Sequence, residues 1–127
     1  MKAHLQAVHP VLPSKDVQAA VEFYVRRLGF TLRGPDSPSN PRYAVIARDD
    51  VVLHIQWHDP KEWSAVERPM LRFAVPGVLE LFDEYKDQGV FHERTALRDT
   101  PWGTREFAFY DPDRNGLTFY CDLERPE

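Results

Sequence analysis

The chain has 127 residues, 43% of them hydrophobic, a length that suits one independently folding domain over residues 1–127. Its 20 acidic and 16 basic side chains give a formal net charge of −4, which disfavours nucleic acid as the main partner because duplex binding depends on clustered Lys and Arg. The single cysteine, Cys121, excludes an intramolecular disulfide, and the sequence has neither a long apolar run nor a secretory signal pattern. Together these features predict a soluble protein of the cytoplasm, without a membrane partner.

The first half of the chain predicts a strand, a helix and then a hairpin. Residues 4–12 favour a strand that Pro10 restricts to a sheet edge or a hinge. Ser14 is the predicted N-cap of a helix with apolar residues at helical spacing, and Asp16 adds negative charge to its first turn. Gly29 is the predicted C-cap. The predicted elements that follow are a short strand near 30–33, a proline-rich loop over 34–42, and a hairpin of strands 43–47 and 51–57.

The second half repeats that order after a connecting loop over residues 58–68. Gly29 and Gly89 are 60 residues apart, and the same offset pairs Val21 with Leu81 and Val25 with Tyr85. The predicted elements are a strand over 70–75, a helix over 77–88 that ends at Gly89, a weak strand over 91–98, and a closing hairpin around the turn 111–116. The chain is therefore predicted to contain one βαβββ module twice, at about 1–58 and about 69–123, with both modules lining a shared surface.

Alternation along the strands sorts the side chains onto two faces of the predicted sheet. A strand directs successive side chains to opposite faces, so the neighbours of His54 and Tyr120 can be assigned by parity. The predicted concave face carries Val52, His54, Gln56, His58, Met70, Arg72, Ala74, Thr118 and Tyr120. The predicted helix-facing side carries Leu53, Ile55, Trp57, Leu71, Phe73, Val75, Leu117, Phe119 and Cys121. The concave mixture of apolar, hydroxyl, amide and imidazole groups is typical of a small-molecule pocket.

Two segments resemble the vicinal oxygen chelate superfamily, which includes glyoxalase I, extradiol dioxygenases, fosfomycin-resistance enzymes and bleomycin-resistance proteins. These segments are residues 16–30, with Phe-Tyr and Leu-Gly-Phe, and residues 111–115, with Asp-Pro-Asp and a following Asn. Three further segments, residues 8–12, 48–51 and 101–108, resemble the bleomycin-resistance branch. The resemblance implies an α+β fold in which two βαβββ modules form a curved mixed sheet. It says little about activity, because this fold carries many reactions.

The metal-ligand positions of the superfamily test whether the chain resembles its enzymes. Carried onto this sequence, they fall on His9, His54, Met70 and Thr118. A thioether is too soft for the hard ions that these enzymes use, a neutral hydroxyl is a poor ligand, and a catalytic metal normally has three protein ligands. The pattern predicts no metal, no cofactor and no catalytic residue, and His9 and His54 are the two ligands that a metal would have.

Two tryptophans are the leading candidates for ligand contact. Trp63 and Trp102 lie beside proline or charged residues, where a large ring serves best as a stacking surface. The resemblance implies a homodimer whose two interface grooves each sequester one drug molecule between aromatic rings, in acidic surroundings that suit a cationic ligand. It also implies exchange of the N-terminal strand at Pro10. The remaining candidate ligand-binding residues are His9, His54, Gln56, Arg72, Phe107 and Tyr120.

Three functions are consistent with these residues. The favoured one is an antibiotic-resistance protein, not an enzyme, that sequesters bleomycin-type glycopeptides at a dimer interface. The second is a metal-dependent enzyme of the glyoxalase or dioxygenase type, with His9 and His54 as ligands. The third is a binding protein of the same fold for another small molecule.

Overall fold

A computed structural model describes residues 1–35 and 41–124, so most of the predicted proline-rich loop lies outside the described residues. The first module contains β1 (Val11–Ser14), α1 (Val17–Leu28), β2 (Thr31–Pro35), β3 (Tyr43–Arg48) and β4 (Val51–Trp57). A short helix, α2 (Pro60–Trp63), leads to the second module. That module contains β5 (Met70–Ala74), α3 (Val78–Tyr85), β6 (Arg98–Asp99), β7 (Thr104–Tyr110) and β8 (Gly116–Asp122).

Each module builds its own four-stranded mixed sheet, and the two sheets have equivalent strand orders. The orders are β1-β4-β3-β2 and β5-β8-β7-β6, and in each sheet the first strand of the module runs parallel to the last. The predicted α+β fold of two βαβββ modules is confirmed. None of the helices in the described residues is long and apolar enough to cross a membrane.

The N-terminal boundaries differ from the predicted ones. The first strand begins at Val11, after Pro10, and residues 1–10 form no regular element. Ser14 is the last residue of β1 instead of the helix N-cap, and its hydroxyl accepts a hydrogen bond from the Asp16 amide at 3.1 Å. Asp16 is the N-cap, because its extended backbone allows the carboxylate to accept from the Ala19 amide at 3.0 Å. Gly29 ends the helix at a φ of 79°, as predicted.

Two connecting segments also differ from expectation. The predicted loop over 58–68 contains α2, because Asp59 and Glu62 form a reciprocal capping box around Pro60. The weak strand predicted over 91–98 is reduced to Arg98–Asp99. A turn replaces its first half, because the Thr95 amide donates to the His92 carbonyl at 3.0 Å and the Thr95 hydroxyl accepts from the His92 amide at 3.1 Å.

The hydrophobic core lies on the helix-facing sides of both sheets. Strand parity is confirmed in β4 and β5, where Leu53 and Ile55 are buried while Met70 and Arg72 are exposed. The predicted 60-residue offset between corresponding residues of α1 and α3 is one residue too short. The buried helix faces match when Ala20 is aligned with Leu81 and Tyr24 with Tyr85, because Val21 and Val25 are only half-buried. The helix α3 ends at Tyr85, short of the predicted residue 88, and the turn over 86–89 that follows it ends at Gly89 with a φ of 71°.

The buried Asp111 carboxylate joins the second module to the first. The Tyr24 hydroxyl of α1 donates to Asp111 Oδ2 at 2.7 Å, and the Asn115 side-chain amide donates to the same oxygen at 2.9 Å. The backbone amides of Asp113 and Asn115 each donate to Asp111 Oδ1 at 2.9 Å. Burial raises the pKa of Asp111 although these donors oppose the rise, and burial beside Asp111 raises the pKa of Tyr24.

The turn that carries Asp111 also binds the start of the chain. The Asn115 amide donates to the Pro13 carbonyl at 3.1 Å, and the Lys15 backbone amide donates to Asp113 Oδ1 at 3.0 Å. A second tyrosine joins the second module to the first: the buried Tyr85 hydroxyl of α3 donates to the Leu28 carbonyl of α1 at 2.8 Å. Burial raises the pKa of Tyr85 to about 12, although Arg48 opposes the rise. Each helix therefore contributes one tyrosine hydroxyl to the contact between modules.

We expect Tyr24→Phe to lower the free energy of unfolding by about 1.5–3 kcal/mol, because the substitution removes a hydrogen bond to a buried charged group. Urea denaturation of the two proteins measures this change. Tyr43→Phe is the matched control, because the Tyr43 hydroxyl contacts the half-buried His54 instead of a buried carboxylate, and it should cost less than about 1 kcal/mol. Equal losses in both variants would contradict the role assigned to Asp111.

Candidate ligand-binding site

A groove of about 290 Å³ lies on the concave side of the second sheet, between β7 and residues 92–100. Two threonines hold that segment against the strand. The Thr95 hydroxyl donates to the Ala108 carbonyl at 2.9 Å, and the Thr100 and Thr104 hydroxyls are 2.8 Å apart. Ala108 lies on β7 between Glu106 and Tyr110, so its small side chain leaves room over the strand. We call this feature the Trp102 groove, after the residue at its edge.

Trp102 presents its ring to solvent at the edge of the groove. Its exposed fraction is 66%, and it lies in a turn in which the Gly103 amide donates to the Thr100 carbonyl at 3.2 Å. Gly103 has a φ of 92°, a conformation that suits glycine and that returns the chain into β7. The side chain of Trp102 also hydrogen-bonds to Glu106, and the exposed part of the indole can stack on a planar ligand.

Glu106 is the carboxylate of the groove, and sequence analysis missed it. Its side chain is 13% exposed and accepts from Arg72 Nη2 at 3.0 Å and from the Thr104 hydroxyl at 2.8 Å. Burial acts to raise the pKa of Glu106, but the hydrogen bonds from Arg72 and Thr104 outweigh it and the pKa is lowered. The Arg72 guanidinium also lies 4.5 Å from the ring centre of Tyr120. Strand parity could have identified Glu106, which pairs with Tyr120 in the sheet.

Three predicted site residues, His9, His54 and Gln56, lie together with Tyr43 at the first sheet, and we call these four residues the histidine patch. His54, Gln56 and Tyr43 are on strands, whereas His9 precedes β1. The rings of His9 and His54 stack with their centres 5.2 Å apart, and the Tyr43 hydroxyl is 2.7 Å from His54 Nδ1. Gln56 is exposed and pairs with Tyr43 in the sheet. Across residues 1–35 and 41–124, no hydrogen bond or ring contact joins the patch to the Trp102 groove. None of the four patch residues is among the residues that line the groove.

The last two predicted residues occupy different surroundings. Trp63 is half-buried at the end of α2, with the Arg68 guanidinium 4.3 Å and the Lys15 amine 5.2 Å from its ring centre. Phe107 is 1% exposed, and its ring contacts core aromatics, with Phe119 at 5.3 Å between centres. Phe107 thus packs in the core and also contributes to the lining of the Trp102 groove, whereas Trp63 lies beside two cationic side chains at the end of α2.

The charge around the groove is opposite to the charge of the whole chain. Arg94 and Arg98 line the groove beside the single carboxylate of Glu106, and Glu106 is already paired with Arg72. The acidic surroundings expected from the resemblance are therefore absent from this groove, within the part of the chain that the structure describes. Net charge could not indicate this, because it sums over all faces of the molecule.

The donor set does not fit a metal centre. No group of three or more His, Cys, Asp or Glu in the described ranges could hold a metal ion. Of the four positions that correspond to superfamily ligands, His9 and His54 lie in the histidine patch, whereas Met70 and Thr118 lie on the second sheet. A thioether and a hydroxyl do not complete the coordination sphere of a hard divalent ion. No chemical step is assigned to a metal here.

Comparison with known proteins agrees with this fold. The family model of the Glyoxalase/Bleomycin resistance protein/Dioxygenase superfamily matches residues 6–119. A bleomycin resistance protein of Geobacillus stearothermophilus is 30% identical over 94% of this chain and 98% of its own length. The bleomycin-binding protein of Streptomyces verticillus, in complex with copper(II)-bleomycin, has a TM-score of 0.72 and 24% identity over 98% of this chain and all of its own.

Two other solved structures have the same fold. TioX from Micromonospora sp. ML1 has a TM-score of 0.74 and 23% identity, over 92% of this chain and 100% of its own. A glyoxalase/bleomycin resistance protein/dioxygenase from Nocardioides has a TM-score of 0.74 and 21% identity, over 99% of this chain and 89% of its own. The fold and the family model lead to one conclusion: the chain belongs to the Glyoxalase/Bleomycin resistance protein/Dioxygenase superfamily.

Proposed function

We propose that the protein binds a bleomycin-type glycopeptide in the cytoplasm and sequesters it without chemical change. The observation that carries the proposal is the 66% exposed ring of Trp102 at the edge of a groove large enough for a planar aromatic group. The relative named a bleomycin resistance protein supports the same ligand, because the similarity extends over 98% of that relative's length. Stacking of an aromatic drug tail on Trp102 is the expected main contact.

The ionisable groups of the groove support binding in preference to catalysis. Glu106 is held by Arg72 and Thr104, so its carboxylate is not poised as a base with a raised pKa. Arg94 and Arg98 offer guanidinium N–H groups, which donate hydrogen bonds and do not accept them. The Thr104 hydroxyl donates to Glu106, but no histidine contacts it to form a nucleophile–base pair in the described residues. His92 also lines the groove, and its Nδ1 already accepts a hydrogen bond from the Arg94 backbone amide at 3.1 Å. The groove therefore offers contacts and shape, and a bound drug molecule would leave it unchanged.

A homodimer would complete the site. In one chain the histidine patch and the Trp102 groove lie on different sheets, and the N-terminal segment leaves Leu5 and Val8 94% and 89% exposed. We infer that two copies pair so that the histidine patch of one copy faces the Trp102 groove of the other, which creates two grooves. The segment before Pro10 would pass to the second copy, where Leu5 and Val8 become buried. This arrangement gives one bound drug molecule per chain.

Calorimetric titration with metal-free bleomycin tests the proposal. We expect one drug molecule per chain, and we expect Trp102→Ala to weaken binding at least about tenfold, because the loss of ring stacking and buried area amounts to about 1.4 kcal/mol or more. Trp63→Phe is the control, because Trp63 lies between Arg68 and Lys15, and its affinity should stay within about twofold. Unchanged affinity in Trp102→Ala would contradict this groove, and no binding by the unsubstituted protein would contradict bleomycin as ligand.

Removal of divalent metal separates a binding protein from a metal-dependent enzyme. We expect protein purified without chelator to contain far less than one divalent ion per chain by elemental analysis, because the donor set lacks a third strong ligand. Affinity for metal-free bleomycin should be the same before and after dialysis against EDTA. A stoichiometric ion, or binding that EDTA abolishes, would favour the enzyme instead.

Sedimentation equilibrium tests the dimer. We expect the protein to sediment at twice the mass of one chain, because the exposed Leu5 and Val8 and the open concave faces need a second copy to cover them. Leu5→Asp/Val8→Asp should shift the equilibrium towards the monomer, whereas Lys2→Asp, at an equally exposed position, should not. A monomer at micromolar concentration would contradict the proposed arrangement.

A further inference from the structure

Two arginines of the Trp102 groove have no acidic partner. Arg94 and Arg98 are exposed and line the groove, and no carboxylate in the described residues forms an ion pair with either. Other arginines near the sheets are paired: Arg48 with Glu84 at 2.8 Å, Arg72 with Glu106 at 3.0 Å, and Arg105 with Asp99 at 2.6 Å. The groove thus contains two guanidinium groups that no carboxylate of the described residues pairs with and that remain available to a ligand.

The backbone beneath these two arginines is held in place. The Arg94 amide donates to His92 Nδ1 at 3.1 Å, and the Thr95 hydroxyl next to it donates to the Ala108 carbonyl of β7. Arg98 belongs to β6 and pairs with Glu106 in the sheet, and its Nη2 lies 3.5 Å from the Arg94 carbonyl. The backbone of both arginines is therefore fixed on one side of the groove, so a ligand has to order only their exposed side chains.

The Glu106 carboxylate does not neutralise the charges of Arg94 and Arg98. Glu106 accepts hydrogen bonds from Arg72 and Thr104, and its charge is matched by the Arg72 guanidinium. Arg94 and Arg98 are left as excess positive charge in a groove bounded by the rings of Trp102 and Tyr110, which are 66% and 41% exposed. Arginine forms bidentate hydrogen bonds with carboxylate, sulfonate or phosphate oxygens and is always charged at neutral pH.

We infer that the Trp102 groove is selective for planar aromatic molecules that carry an acidic group. The ring system stacks on Trp102 over Ala108, and the anion binds Arg94 and Arg98 on the adjacent wall. This inference rests on the proposed function only in taking the groove as the ligand site. It extends the ligand class beyond a cationic glycopeptide, whose positive end would be repelled by the same two arginines unless the drug keeps that end outside the groove.

A matched pair of fluorescent probes tests the inference on the full-length protein. Anilinonaphthalene sulfonate carries an anionic group, and phenylnaphthylamine has the same ring system without it. We expect the sulfonate to bind about tenfold more tightly, as measured by probe fluorescence and by energy transfer from tryptophan. Arg94→Gln/Arg98→Gln should abolish that preference and leave phenylnaphthylamine binding unchanged, whereas Trp102→Ala should weaken both probes.

A second double variant controls for overall charge. Arg26→Gln/Arg33→Gln removes two positive charges from exposed positions on α1 and β2, away from the groove, and should keep the tenfold preference. Equal affinity for the two probes, or equal loss of preference in both double variants, would overturn the inference.

Bleomycin titrations of the same variants separate this inference from the proposed function. Arg94→Gln/Arg98→Gln should bind metal-free bleomycin at least as tightly as the unsubstituted protein, because the substitution removes positive charge near a cationic ligand. A sulfonate preference without any bleomycin binding would uphold the inference and refute the proposed function. Bleomycin binding without a sulfonate preference would uphold the proposed function and refute the inference.

Discussion

The arrangement of the two modules depends on the hydrogen bonds of the buried Asp111 carboxylate. A buried carboxylate is costly unless donors surround it, and here four donors from α1 and from its own turn do so. The same turn forms two further hydrogen bonds: Asp113 accepts from the Lys15 backbone amide, and the Asn115 side chain donates to the Pro13 carbonyl. The second module is therefore fixed against β1 and the start of α1. The hairpin β7–β8 extends from this turn, so the position of the Trp102 groove depends on it.

The duplicated modules have diverged on their concave faces while their helix-facing sides have stayed alike. Tyr24 and Tyr85 are equivalent buried residues, and each donates its hydroxyl to the other module. The concave faces differ, because the first carries the stacked imidazoles of His9 and His54 and the second carries Arg72 and Glu106. Core positions must satisfy packing within the chain, whereas a concave face is free to adapt to what it contacts.

Within the site, the sequence predicted individual residues more reliably than their grouping. Arg72 and Tyr120 lie on one face of the second sheet with Glu106, as strand alternation predicts, because that alternation is a local rule. Trp102 lies in the turn before β7, at the edge of the groove. Trp63 was grouped with them because it follows proline and charged residues, but the capping box that creates α2 places it between Lys15 and Arg68. That contact joins residues distant along the chain, and no local pattern encodes it.

By itself, the sequence determined the α+β class, the repeated βαβββ order, the inward and outward sides of β4 and β5, and the glycine that ends α1. These features follow from periodicity and turn chemistry, which act over a few residues. Only the tertiary structure decided that the Asp111 turn joins the modules and that Glu106 is paired with Arg72. It also decided that no carboxylate among residues 1–35 and 41–124 pairs with Arg94 or Arg98 beside Trp102. Charge pairing depends on distances in space, which composition and spacing along the chain do not specify.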